Sequence, residues 1–162
     1  MATEKTVTLT VNGRTHKLAL PAHRTALEAL RGLGYVEAKC GCEKGDCGAC
    51  AVLLDGAAVD SCLTLAWAAD GAAITTVRGL GNPDAEHPLQ TAFIREGAVQ
   101  CGYCTPGIII AAKALLDEIP DPSEADMRRA LSGNLCRCTG YTRIFSAIRV
   151  AAAALREKGA RP

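Results

Sequence analysis

The sequence has few aromatic residues, no excess of charge of either sign and no long apolar run. Aromatic side chains make up 4% of its 162 residues, and the formal net charge is +1 with acidic and basic residues interspersed. No concentrated field is therefore available to attract nucleic acid or an anionic membrane. The most apolar windows, 107–116 and 147–155, fall well short of the roughly 20 residues of a membrane span. We expect neither nucleic acid nor a membrane as a partner.

The first residues also lack an apolar stretch behind a basic start, which predicts a cytoplasmic protein. The cytosol keeps thiols reduced, and an apolar fraction of 49% is ample for a packed core, so the nine cysteines are not expected to form disulfides. Thiols crowded at short spacing lose their protons together only when a cation neutralises them. The cysteines therefore predict metal binding.

Alternating apolar residues and turn signals predict a small strand-rich domain over residues 1–77. A hairpin is expected around Asn12-Gly13, and Thr25 with Glu28 forms the capping box of a short helix. That helix is predicted to end near Gly32 or Gly34. Further strand segments are predicted at 52–54, around 59 after the Asp55-Gly56 turn, and at 74–77.

The rest of the chain has a helical pattern. Residues 78–88 concentrate glycine and proline and are the predicted linker. Residues 89–162 then form the second predicted domain, a small bundle of four helices joined by short loops. The four predicted helices span 89–96, 108–118, a segment from Ser123 to near Gly133, and about 142–158. The predicted fold class is α+β.

The first cysteine group has the spacing of a plant-type [2Fe–2S] site. Its members are Cys42, Cys47, Cys50 and Cys62. Three of these ligands come from one loop, so the chain between them must turn tightly, as Gly41, Gly45 and Gly48 allow. The alternative is a structural zinc site, although zinc sites usually pair two short cysteine knuckles. Cys40 is surplus, either a spare buried thiol or a competitor of Cys42.

A second cysteine group is split along the chain. Cys101 and Cys104 are followed much later by Cys136 and Cys138, and the pairs meet only if the helices between them fold back. Taken alone, the first pair could be a redox dithiol, and the spacing of the second pair could be a coincidence. Together the two pairs predict a second metal site. Pro106-Gly107 starts a helix whose N-terminal amides can face a negatively charged cluster.

Three strings carry a family resemblance: 41–50, 100–107 and 133–141. They resemble the small iron–sulfur subunit of molybdenum hydroxylases, the relatives of xanthine dehydrogenase, carbon monoxide dehydrogenase and aldehyde oxidoreductases. The resemblance implies a ferredoxin-like β-grasp domain followed by a four-helix bundle, each with one [2Fe–2S] cluster. It also implies a large molybdopterin-binding subunit and a medium FAD-binding subunit as partners.

The same resemblance implies a role for two residues beside the second group. Gln100 and Cys138 would lie at the edge of the pterin, with Cys138 also a cluster ligand. Taken by itself, Gln100 would be a polar residue that caps a helix end. Three features depart from the family pattern and bear on the first loop: residues 30–39 are about one residue short, Glu37 stands where glycine is usual, and Cys40 adds a thiol.

The leading functional hypothesis is an electron-relay subunit of a molybdenum oxidoreductase. No acid–base pair or nucleophile forms a recognisable constellation, so substrate chemistry is assigned to a partner subunit. The alternative is a free-standing ferredoxin-type carrier, but such carriers usually present an acidic docking face, which a net charge of +1 does not indicate. A third hypothesis is a zinc-stabilised or disulfide-linked interaction module without redox function.

Overall fold

The computed structural model describes residues 3–159, and the N-terminal half of this range forms one five-stranded sheet. The strands are β1 Glu4–Val11, β2 Arg14–Pro21, β3 Ala51–Leu54, β4 Ala57–Asp60 and β5 Ala73–Thr75. Their order across the sheet is β2-β1-β5-β3-β4, with β5 parallel to β1 and the other neighbours antiparallel. Helix α1, Ala26–Gly32, connects β2 to the loop before β3.

The local signals of this domain form as predicted. Asn12 and Gly13 have φ angles of 49° and 79°, the positive pair that a tight hairpin turn requires. Asp55 and Gly56 repeat this geometry between β3 and β4. Thr25 and the helix residue three positions later form both hydrogen bonds of the capping box.

Five helices follow the sheet. They are α2 Val77–Leu80, α3 Pro88–Arg95, α4 Thr105–Glu118, α5 Glu124–Ala130 and α6 Thr142–Gly159. The last four are the predicted bundle, and with the sheet they confirm the α+β class and the β-grasp-plus-bundle architecture. Within residues 3–159, no helix combines the length and the apolar character that crossing a membrane requires.

Three element ends differ by more than one residue from the sequence prediction. The last strand stops at Thr75 instead of residue 77, because Val77 begins α2 and packs with Leu80 against the bundle. Helix α4 begins three residues earlier than expected, since Pro106 suits the first turn of a helix. Helix α5 ends at Ala130, before the predicted Gly133.

Two apolar cores form, and a third small cluster joins them. Fully buried side chains of β1, α1 and β3 fill the first core, and those of α3, α4 and α6 fill the second. Ala51 and Leu53 of β3 pack against Ile110 of α4. The sheet therefore contacts the bundle beside the loop that carries the first cysteine group.

Candidate metal centres

The first cysteine group meets at one end of the sheet. Cys42, Cys47 and Cys50 lie on the loop between α1 and β3, and Cys62 lies just after β4, separated from it by Ser61. The thiols approach each other in two pairs, Cys42 with Cys47 and Cys50 with Cys62. The structure thus brings the four predicted residues together as two pairs.

Backbone N–H groups surround the outer sulfur of this site. The amides of Lys44 and Asp46 donate to Cys42 Sγ at 3.4 Å and 3.3 Å. These hydrogen bonds, chiefly the one from Lys44, help lower the pKa of Cys42 to about 7. The inner thiol differs, since burial raises the pKa of Cys50 to about 12. Cys50 therefore needs a metal cation to become a thiolate at neutral pH.

Glycine at position 41 is needed beside a ligand sulfur. A Cβ on Gly41 would lie 2.7 Å from Cys47 Sγ, closer than such atoms approach. Gly45 and Gly48 have φ angles of 78° and 64° in the same loop. The predicted need for tight turning between the ligands is therefore met.

Cys40 takes no part in the two thiol pairs. Its Sγ donates to the Glu43 carboxylate at 3.1 Å, and this hydrogen bond raises the pKa of Cys40. Cys40 also lies close enough to Cys62 for the two thiols to interact, so its assignment as a spare thiol stays a prediction. Cys40 is half-buried, in contrast to the fully buried Cys50.

Glu37, the other departure in this loop, is buried and connects the loop to the segment that leads into α2. The Thr76 hydroxyl donates to Glu37 Oε1 at 2.7 Å, and Arg78 lies 3.9 Å from Oε2. Thr76 also exchanges two hydrogen bonds with Asn12 in the first hairpin turn. Glu37 therefore ties the loop to the chain segment that enters α2.

The second cysteine group forms between the ends of the helices. Cys101 and Cys138 have their sulfurs 3.7 Å apart, and Cys104 approaches Cys136. Cys104 is the N-cap of α4, and burial raises its pKa to about 12. Burial alone would raise the pKa of Cys136, but hydrogen bonds from Thr139, from the Cys138 main chain and from Cys104 together lower it. Here too the structure assembles all four predicted residues.

Tyr141 and Asn134 hold the Cys136 loop in place. The Tyr141 hydroxyl accepts the Cys136 N–H at 2.8 Å and donates to the Asn134 carbonyl at 2.8 Å. Tyr141 itself has a φ of 67°, which is uncommon for a residue with a side chain. Cysteine spacing alone does not reveal these two residues, although both lie in the string 133–141.

The two sites are joined by direct hydrogen bonds between their loops. The Leu135 amide, next to Cys136, donates to the Cys47 carbonyl at 3.0 Å. The buried Asn134 side chain donates to Gly48 O at 3.1 Å, and the Tyr103 hydroxyl donates to the main chain of the first loop at 2.5 Å. We call this contact zone the seam: residues 47–48 and 134–135, with Tyr103.

The thiol pairs fit a cluster of two irons, each with two thiolate ligands. A mononuclear zinc site would instead gather its ligands about one point. The Cys101–Cys138 sulfur separation of 3.7 Å is also far beyond the roughly 2.05 Å of a disulfide bond. The donor set therefore favours [2Fe–2S] over zinc or disulfides.

Gln100 lies in the bend between α3 and α4, next to Cys101. It is exposed and belongs to neither helix, and the caps of α3 and α4 are other residues. The helix-cap explanation for Gln100 is therefore wrong. Cys138 is exposed on the same side of the second site, where its sulfur contacts that of Cys101.

Known families cover nearly the whole chain. Residues 9–75 match a family described as "2Fe-2S iron-sulfur cluster binding domain", and residues 76–149 match one described as "[2Fe-2S] binding domain". The nicotinate dehydrogenase small FeS subunit of Eubacterium barkeri is 45% identical over 90% of this chain and 94% of its own length. The chain belongs to the small iron–sulfur subunits of the molybdenum hydroxylase family. The resemblance read from the sequence is thereby confirmed.

Other members of the family agree in sequence and in fold. The nicotine 6-hydroxylase small subunit of Paenarthrobacter nicotinovorans is 50% identical over 85% of this chain and 84% of its own. A chain of quinoline 2-oxidoreductase from Pseudomonas putida superposes with a TM-score of 0.89 at 42% identity, over 95% of this small subunit and 97% of that chain. The aldehyde oxidoreductase of Desulfovibrio desulfuricans superposes with a TM-score of 0.90 at 46% identity. The match covers 95% of this chain but only 17% of that longer chain.

Proposed function

We propose that this small subunit relays electrons between a molybdopterin centre and FAD, each bound by a partner subunit. Cys42, Cys47, Cys50 and Cys62 would hold one [2Fe–2S] cluster, and Cys101, Cys104, Cys136 and Cys138 the other. When bound, each cluster supplies one-electron redox chemistry. The two clusters would belong to the domains 1–77 and 89–162, with 78–88 as the linker.

The observation that carries this proposal is the seam between the two sites. Leu135 N donates to the carbonyl of the ligand residue Cys47, and Leu135 is the neighbour of the ligand residue Cys136. One hydrogen bond therefore connects the main chains of the two ligand loops. A chain that only stored two separate clusters would not need this contact, whereas a relay needs its two sites close and fixed.

The second site has the features of a docking face for the molybdopterin subunit. Cys101 and Cys138 are exposed, and so are the apolar side chains of Val99, Tyr103 and Leu135 around them. A partner that covers this face would bury both the apolar groups and the sulfurs. The exposed side chain of Gln100 would then offer its amide to the pterin edge beside Cys138. The isolated chain should accordingly be poorly soluble or lose its clusters.

The relay function also implies an FAD-binding partner and a cellular compartment. An FAD-binding medium subunit would accept or deliver electrons at the first cluster. The substrate would bind to the molybdopterin subunit alone. The cytoplasm is the proposed compartment because a reducing environment keeps the eight ligand thiols available for iron.

The proposal is tested on the natively purified complex. Expected results are co-elution with two larger chains, about four irons per small subunit, molybdenum in the same sample and two distinct EPR signals after dithionite reduction. C50S should remove one signal and C104S the other. A colourless chain that contains zinc and no iron, or one that elutes alone with both clusters, would contradict the relay.

A further inference from the structure

Asp60 places a carboxylate against a ligand of the first site. Its Oδ1 lies 3.5 Å from the sulfur of Cys50, which is itself 3% exposed. Its Oδ2 lies 3.7 Å from the position that a Cβ on Gly45 would occupy, so the carboxylate lies beside the turn between Cys42 and Cys47. The side chain thus lies beside the site that the first cluster would fill.

Among the side chains that the structure describes, no cation pairs with this carboxylate. The ion pairs formed within residues 3–159 leave Asp60 out, whereas eight other carboxylate–cation contacts are present. Its main chain is fixed independently, because residue 60 pairs with Ala51 across β3 and β4 and its carbonyl accepts the Leu63 and Thr64 amides. The carboxylate therefore adds charge to the site without being needed for the local backbone.

We propose that the Asp60 carboxylate lowers the reduction potential of the first cluster and so shifts a shared electron toward the second. This inference rests on the proposed relay function. Reduction moves one electron from a donor, either a partner cofactor or dithionite, onto a site that is already negative through its thiolates. An adjacent fixed negative charge opposes that gain, while the amides of Lys44 and Asp46 at Cys42 favour it.

The half-buried position of Asp60 limits screening by salt, so the effect should survive at physiological ionic strength. Removing the charge should raise the equilibrium constant for electron transfer from the second cluster to the first about tenfold. For a one-electron couple this corresponds to about 59 mV.

The test is an EPR-monitored redox titration of the purified complex carrying D60N, D60E or E118Q. D60N keeps the side-chain shape and removes the charge, and D60E keeps the charge. Glu118 is exposed at the far end of α4, about 20 Å from its N-terminus at the second site, so E118Q controls for net charge. The second cluster serves as an internal reference in every sample.

D60N is expected to raise the potential of the first cluster alone, with D60E and E118Q close to wild type. An unchanged first potential, or an equal shift of both clusters, would overturn the role of Asp60 while leaving the relay intact. Loss of the first cluster in D60N would show a structural role and would equally overturn it. Absence of both clusters from the wild-type complex would instead refute the relay itself.

Discussion

Replacing Gly107 by alanine should push the two cluster loops apart. Gly107 lies in the first turn of α4, and a Cβ at this position would be 2.1 Å from the carbonyl oxygen of Gly48. It would also be 3.1 Å from Gly48 C and 3.2 Å from Ala49 Cα. These are backbone atoms of the first loop, so no flexible side chain can move aside to make room.

The size of the effect follows from opposing contributions. Alanine has a better helix propensity than glycine by at most about 1 kcal/mol. Overpacking against fixed atoms costs about 1–3 kcal/mol. Displacing Gly48 also weakens the hydrogen bond from Asn134 to its carbonyl, worth about 1 kcal/mol. We expect a net destabilisation of about 1–3 kcal/mol, or roughly 2–12 °C in melting temperature for a chain of this size.

The measurement is the thermal loss of the cluster absorbance in the purified complex, at one fixed scan rate because such unfolding is often irreversible. The matched control is G32A, since Gly32 is the last residue of α1 and nothing lies within 4 Å of its added Cβ. G32A should leave the melting temperature unchanged or raise it. A G107A complex that melts at or above the wild-type temperature would refute the steric argument at the seam.

Three further outcomes are expected. Y141F should weaken the second cluster selectively, because it leaves the Cys136 amide without its acceptor at a cost of about 1–3 kcal/mol; equal loss of both EPR signals would contradict this. C40S should retain both EPR signals, since the Cys40 thiol donates a hydrogen bond to Glu43 and joins no thiol pair. Loss of the EPR signal of the first cluster would instead show that Cys40 is a ligand. T25A should cost about 1 kcal/mol by removing the N-cap of α1, measured as a lower melting temperature, whereas T25S should restore it.

Features that depend on a few consecutive residues could be predicted from the sequence. The Asn12-Gly13 and Asp55-Gly56 turns and the capping box at Thr25 each form where the local chemistry places them. Cys42, Cys47 and Cys50 follow the short spacing and flexible glycines that ligation from a single loop demands, whereas the pair Cys101/Cys104 meets Cys136/Cys138 because the helices between them fold back. The end of β5 could not be predicted, since the apolar side chain of Val77 suits a strand and a helix equally and packing against the bundle decides between them.

The contacts between the two sites depend on residues far apart in the chain. Asn134 and Gly48 are separated by 86 positions, and their hydrogen bond exists only after both domains have folded and docked. A single sequence contains no spacing rule for such a contact. The string around Asn134 was still informative, because its resemblance to a known family marked residues whose physical purpose only the structure reveals.

Gly48 illustrates why the sequence explanation of a residue can be correct and incomplete. The sequence predicts that Gly48 allows the tight turning of the first loop, and its φ of 64° meets that need. A Cβ here would also lie 2.5 Å from Gly133 O and 2.4 Å from the Asn134 side-chain nitrogen. The missing side chain therefore lets the second loop approach the first. Since alanine at position 48 would be strained for both reasons, the turn and the seam constrain the same residue together.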